Sequence, residues 1–192
     1  MKKMITSSAR RNALGAGFAA VAVAVSLFGV APAANAASSD SGSEAVQDCA
    51  FLTDTGQEVC VDHGDDLHAA VYDETGYTVI ETQTAPSTAQ IKAARAAAAV
   101  YVVAKLYDDA NYGGGVKEID ASGSCSGSTA WNVGDIGSGW YGRVSSFAGY
   151  SGCRVKIWEK TNFKGASLGY LASSKNVGGA MNDQTRSVQA TK

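Results

Sequence analysis

Lys105-Leu106-Tyr107-Asp108-Asp109-Ala110-Asn111-Tyr112-Gly113-Gly114 is repeated as Lys156-Ile157-Trp158-Glu159-Lys160-Thr161-Asn162-Phe163-Lys164-Gly165, at an offset of 51. Two further blocks follow in the same order. Asn132-Val133-Gly134-Asp135 matches Asn176-Val177-Gly178-Gly179 at an offset of 44, and Trp140 to Ser146 falls against Met181 to Ser187 at an offset of 41. Three matched blocks in one order describe a duplicated unit, the first copy about ten residues longer. A duplicated unit of this size buries its apolar face against its twin. Within each copy, short β-rich runs alternate with glycine and Asn/Asp turns. An aromatic, four residues and then aromatic–x–Gly make a hairpin device. The two rings cover the fold-over, and the glycine permits backbone that a side chain would block. About four strands per unit predict an all-β, two-sheet sandwich. No helix of useful length fits after residue 104.

Outward from the repeat, Val100 to Leu106 reads as a strand, with β-branched Val100, Val102 and Val103. Ala89 to Ala99 is alanine-rich and predicts two or three helical turns. Residues 82–88, with Pro86, form a polar linker. Upstream, Asp54-Thr55-Gly56 lies between Phe51-Leu52 and Val59-Cys60-Val61. Asp73 to Gly76 lies between Ala70-Val71-Tyr72 and Tyr77 to Ile80. Turn residues between β-rich runs predict two hairpins. The leader is thus a small, separable appendage or pro-region holding two hairpins, with Ser-, Gly- and acid-rich residues 37–48 disordered ahead of them.

The first 36 residues carry Lys2, Lys3, Arg10 and Arg11 and no acid, then an apolar run from Ala13 to Val30 that ends in Ala31-Pro32-Ala33-Ala34-Asn35-Ala36. That is the layout of a secretory signal peptide cleaved near Ala37. The domain reading is therefore 1–36 signal peptide, 37–97 acidic leader, and 98–192 β domain. After removal of the signal, no segment is long and apolar enough to span a membrane. All four cysteines (Cys49, Cys60, Cys125 and Cys153) follow the signal. An even count outside the cell reads as two disulfides. Spacing favours Cys49–Cys60 and Cys125–Cys153 among three possible pairings, each bridge worth ~3 kcal/mol in the chain-entropy estimate. No CxxC pair offers a tetrahedral metal site.

Charge divides the chain. Residues 37–91 hold eleven Asp or Glu and no Lys or Arg, while residues 92–192 hold twelve Lys or Arg against seven Asp or Glu. Opposite fields favour docking of one part on the other, weakly and with salt dependence. The positive charge is spread thinly, which gives no support to nucleic-acid binding.

The duplicated block, on Tyr107, Tyr112 and Gly114 and again on Trp158, Phe163 and Gly165, resembles the βγ-crystallin Greek-key motif over about residues 98–192. The cysteines and signal further resemble the actinobacterial peptidase inhibitors of that fold, of metalloproteinase-inhibitor type. The resemblance implies a Greek-key, βγ-crystallin-like sandwich and a secreted, monomeric protein whose partner is an extracellular peptidase, blocked by a rigid loop. Two loops are candidates: Asp120 to Trp131, anchored by Cys125, and Ala148 to Arg154, anchored by Cys153. The alternative it leaves open is a non-inhibitory module, calcium-binding or antimicrobial toxin-like. Calcium-binding relatives place two Asn/Asp, two variable residues, a Ser/Thr and a Ser late in each unit. Here these fall on Asn182 to Ser187 and Tyr141 to Ser146, with Arg186 in place of a hydroxyl and Tyr141-Gly142 in place of the acids. Loops exchange ligands in that family, so one weak calcium ion, on Asp183 and Ser145, is the cofactor expectation; none is required. The other reading of both blocks is structural turns, with Ser145 and Ser187 tying down backbone.

The residues offer no enzyme. His63 and His68 lie in the leader, and there is no HExxH, G-x-S-x-G or phosphate-binding loop. The β domain has neither histidine nor free cysteine to act as base or nucleophile.

Overall fold

The computed structural model describes residues 45–126 and 128–192. The signal peptide and its cleavage site lie outside the described residues. The leader contributes β1 (Gln47–Leu52), β2 (Glu58–Asp62), α1 (Leu67–Thr75), β3 (Thr78–Ile80) and α2 (Thr88–Ala96). The first unit supplies β4 (Ala99–Tyr107), β5 (Val116–Ala121), β6 (Ala130–Val133) and β7 (Ser146–Gly149). The second supplies β8 (Arg154–Lys160), β9 (Lys164–Leu171), β10 (Ser173–Ser174) and β11 (Ser187–Thr191). After β4 the only helical turns described are short 3₁₀ segments.

Each unit gives its third strand to the other. One sheet runs β10-β7-β4-β5-β1-β2, with β3 also on β4; the other runs β6-β11-β8-β9. Strand exchange leaves neither unit a complete sheet alone, which is why the duplication is needed. The result is the two-unit Greek-key sandwich that the repeat predicts. Its core joins Val103, Leu106, Ile119 and Phe147 of one sheet to Val155, Ile157 and Val188 of the other.

The repeat is also kept in atomic detail. Tyr107 packs on Tyr112 with ring centroids 5.5 Å apart, and Trp158 on Phe163 at 6.4 Å. Gly114 and Gly165 have φ of +70° and +77°. A Cβ at Gly114 would sit 2.8 Å from Asp108 Cβ, and one at Gly165 2.7 Å from the Glu159 carboxylate, so both positions need glycine. The Ser146 hydroxyl donates to Asp109 O (2.6 Å) and accepts from Tyr112 N–H (3.0 Å). Ser187 does the same with Lys160 O (2.7 Å) and Phe163 N–H (3.1 Å). The serine that ties down the first fold-over is therefore Ser146, one residue after the expected Ser145.

The middle block needs a second correction. Gly137 N–H bonds the Asp135 carboxylate (2.8 Å) and Gly178 N–H bonds Asn176 Oδ1 (2.7 Å). Ile136 N–H reaches Arg186 O and Val177 N–H reaches Ser145 O, each at 3.0 Å. All of these equivalences have an offset of 41. The Asn-Val-Gly identity at 44 is a local coincidence, three residues out of step with the hydrogen bonds.

In the leader, the Cys49–Cys60 bridge joins paired residues of the β1–β2 hairpin. The second expected hairpin forms differently. Residues 70–72 are in α1, because Asp66 caps its start by accepting from Ala69 N–H (3.0 Å) and Gly76 closes its end in the left-handed conformation. Only β3 survives as a strand, and it pairs parallel with β4. Ser87 and Gln90 form a capping box at α2, the expected alanine-rich helix. Gln47 and Asp48 of the Ser-, Gly- and acid-rich stretch already belong to β1.

These leader strands are continuous with the β domain. β1 pairs parallel with β5, and the Asp48 carboxylate accepts from Val116 N–H (2.8 Å). Burial pushes the Asp48 pKa up, but hydrogen bonds from His63, Gly64 and Val116 outweigh it and hold the carboxyl below its ordinary range. A leader core of Ala50, Leu52, Val59, Leu67 and Val71 lies on the outer face of this sheet.

Candidate functional site at the disulfide-tied loops

The Cys125–Cys153 disulfide forms, and both half-cystines are buried. It separates the two candidate loops by accessibility. Tyr150, Ser151 and Cys153 of the second loop are buried. Ser151 N–H bonds Thr82 O (2.6 Å) and its hydroxyl bonds Val102 O (2.8 Å). The leader segment at residues 82–85 thus covers this loop, and Ala148 to Arg154 is not presented as a binding loop.

The first loop stays outward. Ser122, Ser126 and Ser128 are exposed around buried Ser124 and Cys125. It is tied at intervals. The Asp54 carboxylate accepts from Ser122 N–H (2.8 Å) and from the Ser122 hydroxyl (3.0 Å). Cys125 N–H reaches Ser151 O (3.3 Å), and Thr129 O accepts from the Thr191 hydroxyl (3.4 Å). Among its described residues the loop is thus fastened at its start, middle and end.

Asp183 and Ser145 lie on neighbouring loops. Asp183 N–H bonds Val144 O (3.2 Å), the residue before Ser145. The Asp183 carboxylate accepts from Asn182 Nδ2 at 2.7 Å. The Arg186 guanidinium stacks 4.9 Å above the Tyr141 ring, whose hydroxyl donates to Asp135 at 2.6 Å. The two halves of the motif are thus side by side.

A second polar cluster, not expected from sequence, lies where α1 meets the outer face of the first sheet. His68 Nε2 is 3.1 Å from Glu118 and 4.0 Å from Glu81. Lys105 Nζ is 2.9 Å from Glu81 and 3.4 Å from Glu118. The hydrogen bond to Glu118 raises the His68 pKa. Asp120, fully buried, has both carboxylate oxygens unpartnered. Burial, then the charge of Glu118, pushes its pKa up to about 8, so it is a neutral carboxyl at pH 7. His68, Glu81 and Glu118 bring three potential ligand atoms within 4.8 Å of one another. The Lys105 ammonium already bonds both carboxylates there, which opposes a metal cation. In the other such group, Cys49, Glu58 and Cys60, both sulfurs are spent in a disulfide. The sequence signal that could have found this cluster is Lys117, Glu118 and Asp120, which put charges on both faces of a strand that also carries core residues.

No protein-family model matches the chain, and no curated protein matches it. Solved structures do. The chain is similar to a βγ-crystallin domain from Clostridium beijerinckii, at 23% identity over 46% of this chain and 97% of that one, with a TM-score of 0.36. It is also similar to a βγ-crystallin domain from Flavobacterium johnsoniae, at 22% identity over 46% and 92%, with a TM-score of 0.35. Hahellin, a βγ-crystallin, is 21% identical over 47% and 92%, with a TM-score of 0.30. The two-sheet, strand-exchanged architecture of this chain rests on its own strand order and register. Its two disulfides suit an oxidising, extracellular setting. No helix among the described residues is long and apolar enough to cross a membrane.

Proposed function

We propose that the protein is a secreted, non-catalytic inhibitor that places the loop at residues 122–129 in the cleft of an extracellular peptidase, a metallopeptidase first. The observation that supports this is the fastening of an exposed loop at Asp54, Cys153 and Thr191. Binding a loop costs the freedom it loses, and a loop already fixed loses little. Titration of the protein into a thermolysin-type metallopeptidase and a serine peptidase tests it. Stoichiometric loss of peptidase activity is expected, weakened at least tenfold when Cys125 and Cys153 are both replaced by serine. Full peptidase activity at excess protein overturns the reading.

A second reading, weak calcium binding at Asp183 and Ser145, draws support from the Asp183 N–H to Val144 O bond that sets the two loops together. One carboxylate, one hydroxyl and backbone carbonyls give a low ligand charge, which corresponds to affinity of roughly 0.1–1 mM.

A further inference from the structure

The leader covers the outer face of the first sheet, whereas in the second sheet β9 is exposed at nearly every position. Val155, Ile157, Val188 and Ala190 belong to the core, so strand alternation sends Arg154, Lys156, Trp158 and Gln189 to the outer face. There the Tyr170 hydroxyl of β9 donates to Gln189 Oε1 of β11 (3.1 Å), and Gln189 Nε2 donates to Asn132 Oδ1 of β6 (2.8 Å). β8 lies between β9 and β11. To reach Gln189 the Tyr170 side chain must cross β8, so its ring lies along the sheet rather than standing off it. The Lys156 ammonium of β8 is 5.5 Å from the Tyr170 ring centroid and 4.1 Å from that of Trp158. Arg154 fixes the backbone here, donating to Tyr170 O from Nε (3.2 Å) and Nη2 (2.9 Å). Tyr170 is still 39% exposed, so the side of its ring turned away from β8 is open.

The four strands of this sheet hold Arg154, Lys156, Lys160 and Lys164 against one acidic side chain, Glu159. The Glu159 carboxylate accepts from Ala166 N–H (3.0 Å). None of the four cations makes an ion pair among the described residues. Outward neighbours on a strand lie about 7 Å apart, so these charges are strung out rather than clustered. Such a row complements a polymer with one negative charge per repeat better than one dense in phosphate or sulfate. A ring with an open face stacks on the apolar side of a pyranose, because the π face is negative and the sugar C–H hydrogens are weakly positive. Sugar hydroxyls both donate and accept, as do the side-chain amides of Gln189 and exposed Asn132. Tyr170 and Leu171 are the large exposed apolar side chains of this sheet, too small an apolar surface for a bilayer or for the core of a protein interface.

From this geometry we propose that the outer face of the second sheet binds a polysaccharide of uronic acids. One pyranose stacks on Tyr170, its hydroxyls meet Gln189 and Asn132, and the carboxylates along the chain meet Lys156 and Arg154. This surface uses neither the loop at residues 122–129 nor Asp183, so it stands or falls apart from both readings above.

The test is isothermal titration of the full chain, with both disulfides formed, by tetragalacturonic acid in calcium-free buffer of low salt. Saturable binding is expected, weakening as salt is raised. The fully methyl-esterified tetramer, which keeps the sugar rings and loses the charge, should bind at least tenfold more weakly. Tyr170→Ala should weaken binding of the acid at least tenfold, and Lys156→Gln severalfold. Melting temperatures report whether each variant folds, and Lys156→Gln keeps the question open to test if Tyr170→Ala does not. Absence of heat at 10 mM tetramer, undiminished binding in the folded variants, or equal binding of the methyl ester overturns the proposal. So does binding as tight or tighter by oligoglutamate, heparin or phosphatidylglycerol vesicles, which would assign the face to an acidic peptide, a sulfated chain or a membrane instead.

Discussion

The two sheets descend from one repeated unit, yet they meet solvent differently. In the first, β4 and β5 are buried along almost their whole length, on both faces. In the second, β8 alternates buried and half-buried residues between exposed ends, and β9 is exposed at nearly every position. The difference comes from the leader. β1 and β2 extend the first sheet, β3 pairs with β4, and α1 covers the outer face. Duplication supplied two equivalent platforms, and the acidic leader occupies one of them. The internal hairpin devices did not diverge with the surfaces, so fold and exposure are separable properties of this chain.

The comparison can be broken most directly in the leader core. Leu52→Ala removes a 2%-exposed side chain and should lower unfolding free energy by about 2–5 kcal/mol. Leu171→Ala, at an exposed position of β9 in the second sheet, should cost below about 0.5 kcal/mol. Urea denaturation of both variants measures this; equal losses would show that the leader does not seal the first sheet.

A next test uses pH. The folded pKa of Asp120, about 8, lies above its ordinary 3.8. The stability tied to its proton is therefore full below pH 3.8 and is lost as pH rises through 8. His68, also raised, acts in the same sense above its ordinary 6.5. Stability should fall between about pH 4 and 8, and Asp120→Asn should remove much of that fall, on the order of a few kcal/mol. An unchanged slope in Asp120→Asn would place the titration elsewhere. Nothing of the kind is expected from the second sheet.

The serines sharpen the likeness. Ser146→Ala and Ser187→Ala each free one N–H and one carbonyl, and each should cost about 1–3 kcal/mol. Melting temperatures of the two variants should drop alike, and a drop in only one would show that the devices are no longer equivalent. The smallest effect concerns calcium. Asp183→Ala should abolish any heat of binding at millimolar calcium, and two tight sites in isothermal titration of the unaltered protein would refute the single-site reading.

The sandwich was legible because its determinants are local: two rings, a turn and a glycine, written twice. The offset of the middle block was not, because Asn-Val-Gly identity competes with backbone bonds such as Ile136 N–H to Arg186 O, which span the units. In α1, β-rich Val71 and Tyr72 suggested a strand, whereas the caps at Asp66 and Gly76 decided for helix. The loop at 120–131 could be found from its cysteine and glycines. Its neighbour at 148–154 was lost to cover from residues 82–85, a contact between distant segments. The line of Tyr170, Gln189 and Asn132 joins three strands that no spacing rule connects.

The parallel pairing of β1 with β5 has a consequence for the order of assembly. Cys49 lies opposite Lys117, 68 residues later in the chain, so β1 cannot dock until the first long hairpin of the β domain exists. Contacts that distant close slowly, because the intervening chain must be ordered first. In the interval the hairpin of β1 and β2 can be held by its own bridge, Cys49 to Cys60, which spans only 11 residues. The N-terminal segment is in this sense a preassembled part waiting for its socket. Chains that oxidise Cys49 with a different cysteine should fold along a longer route, seen as a slower recovery of native fluorescence.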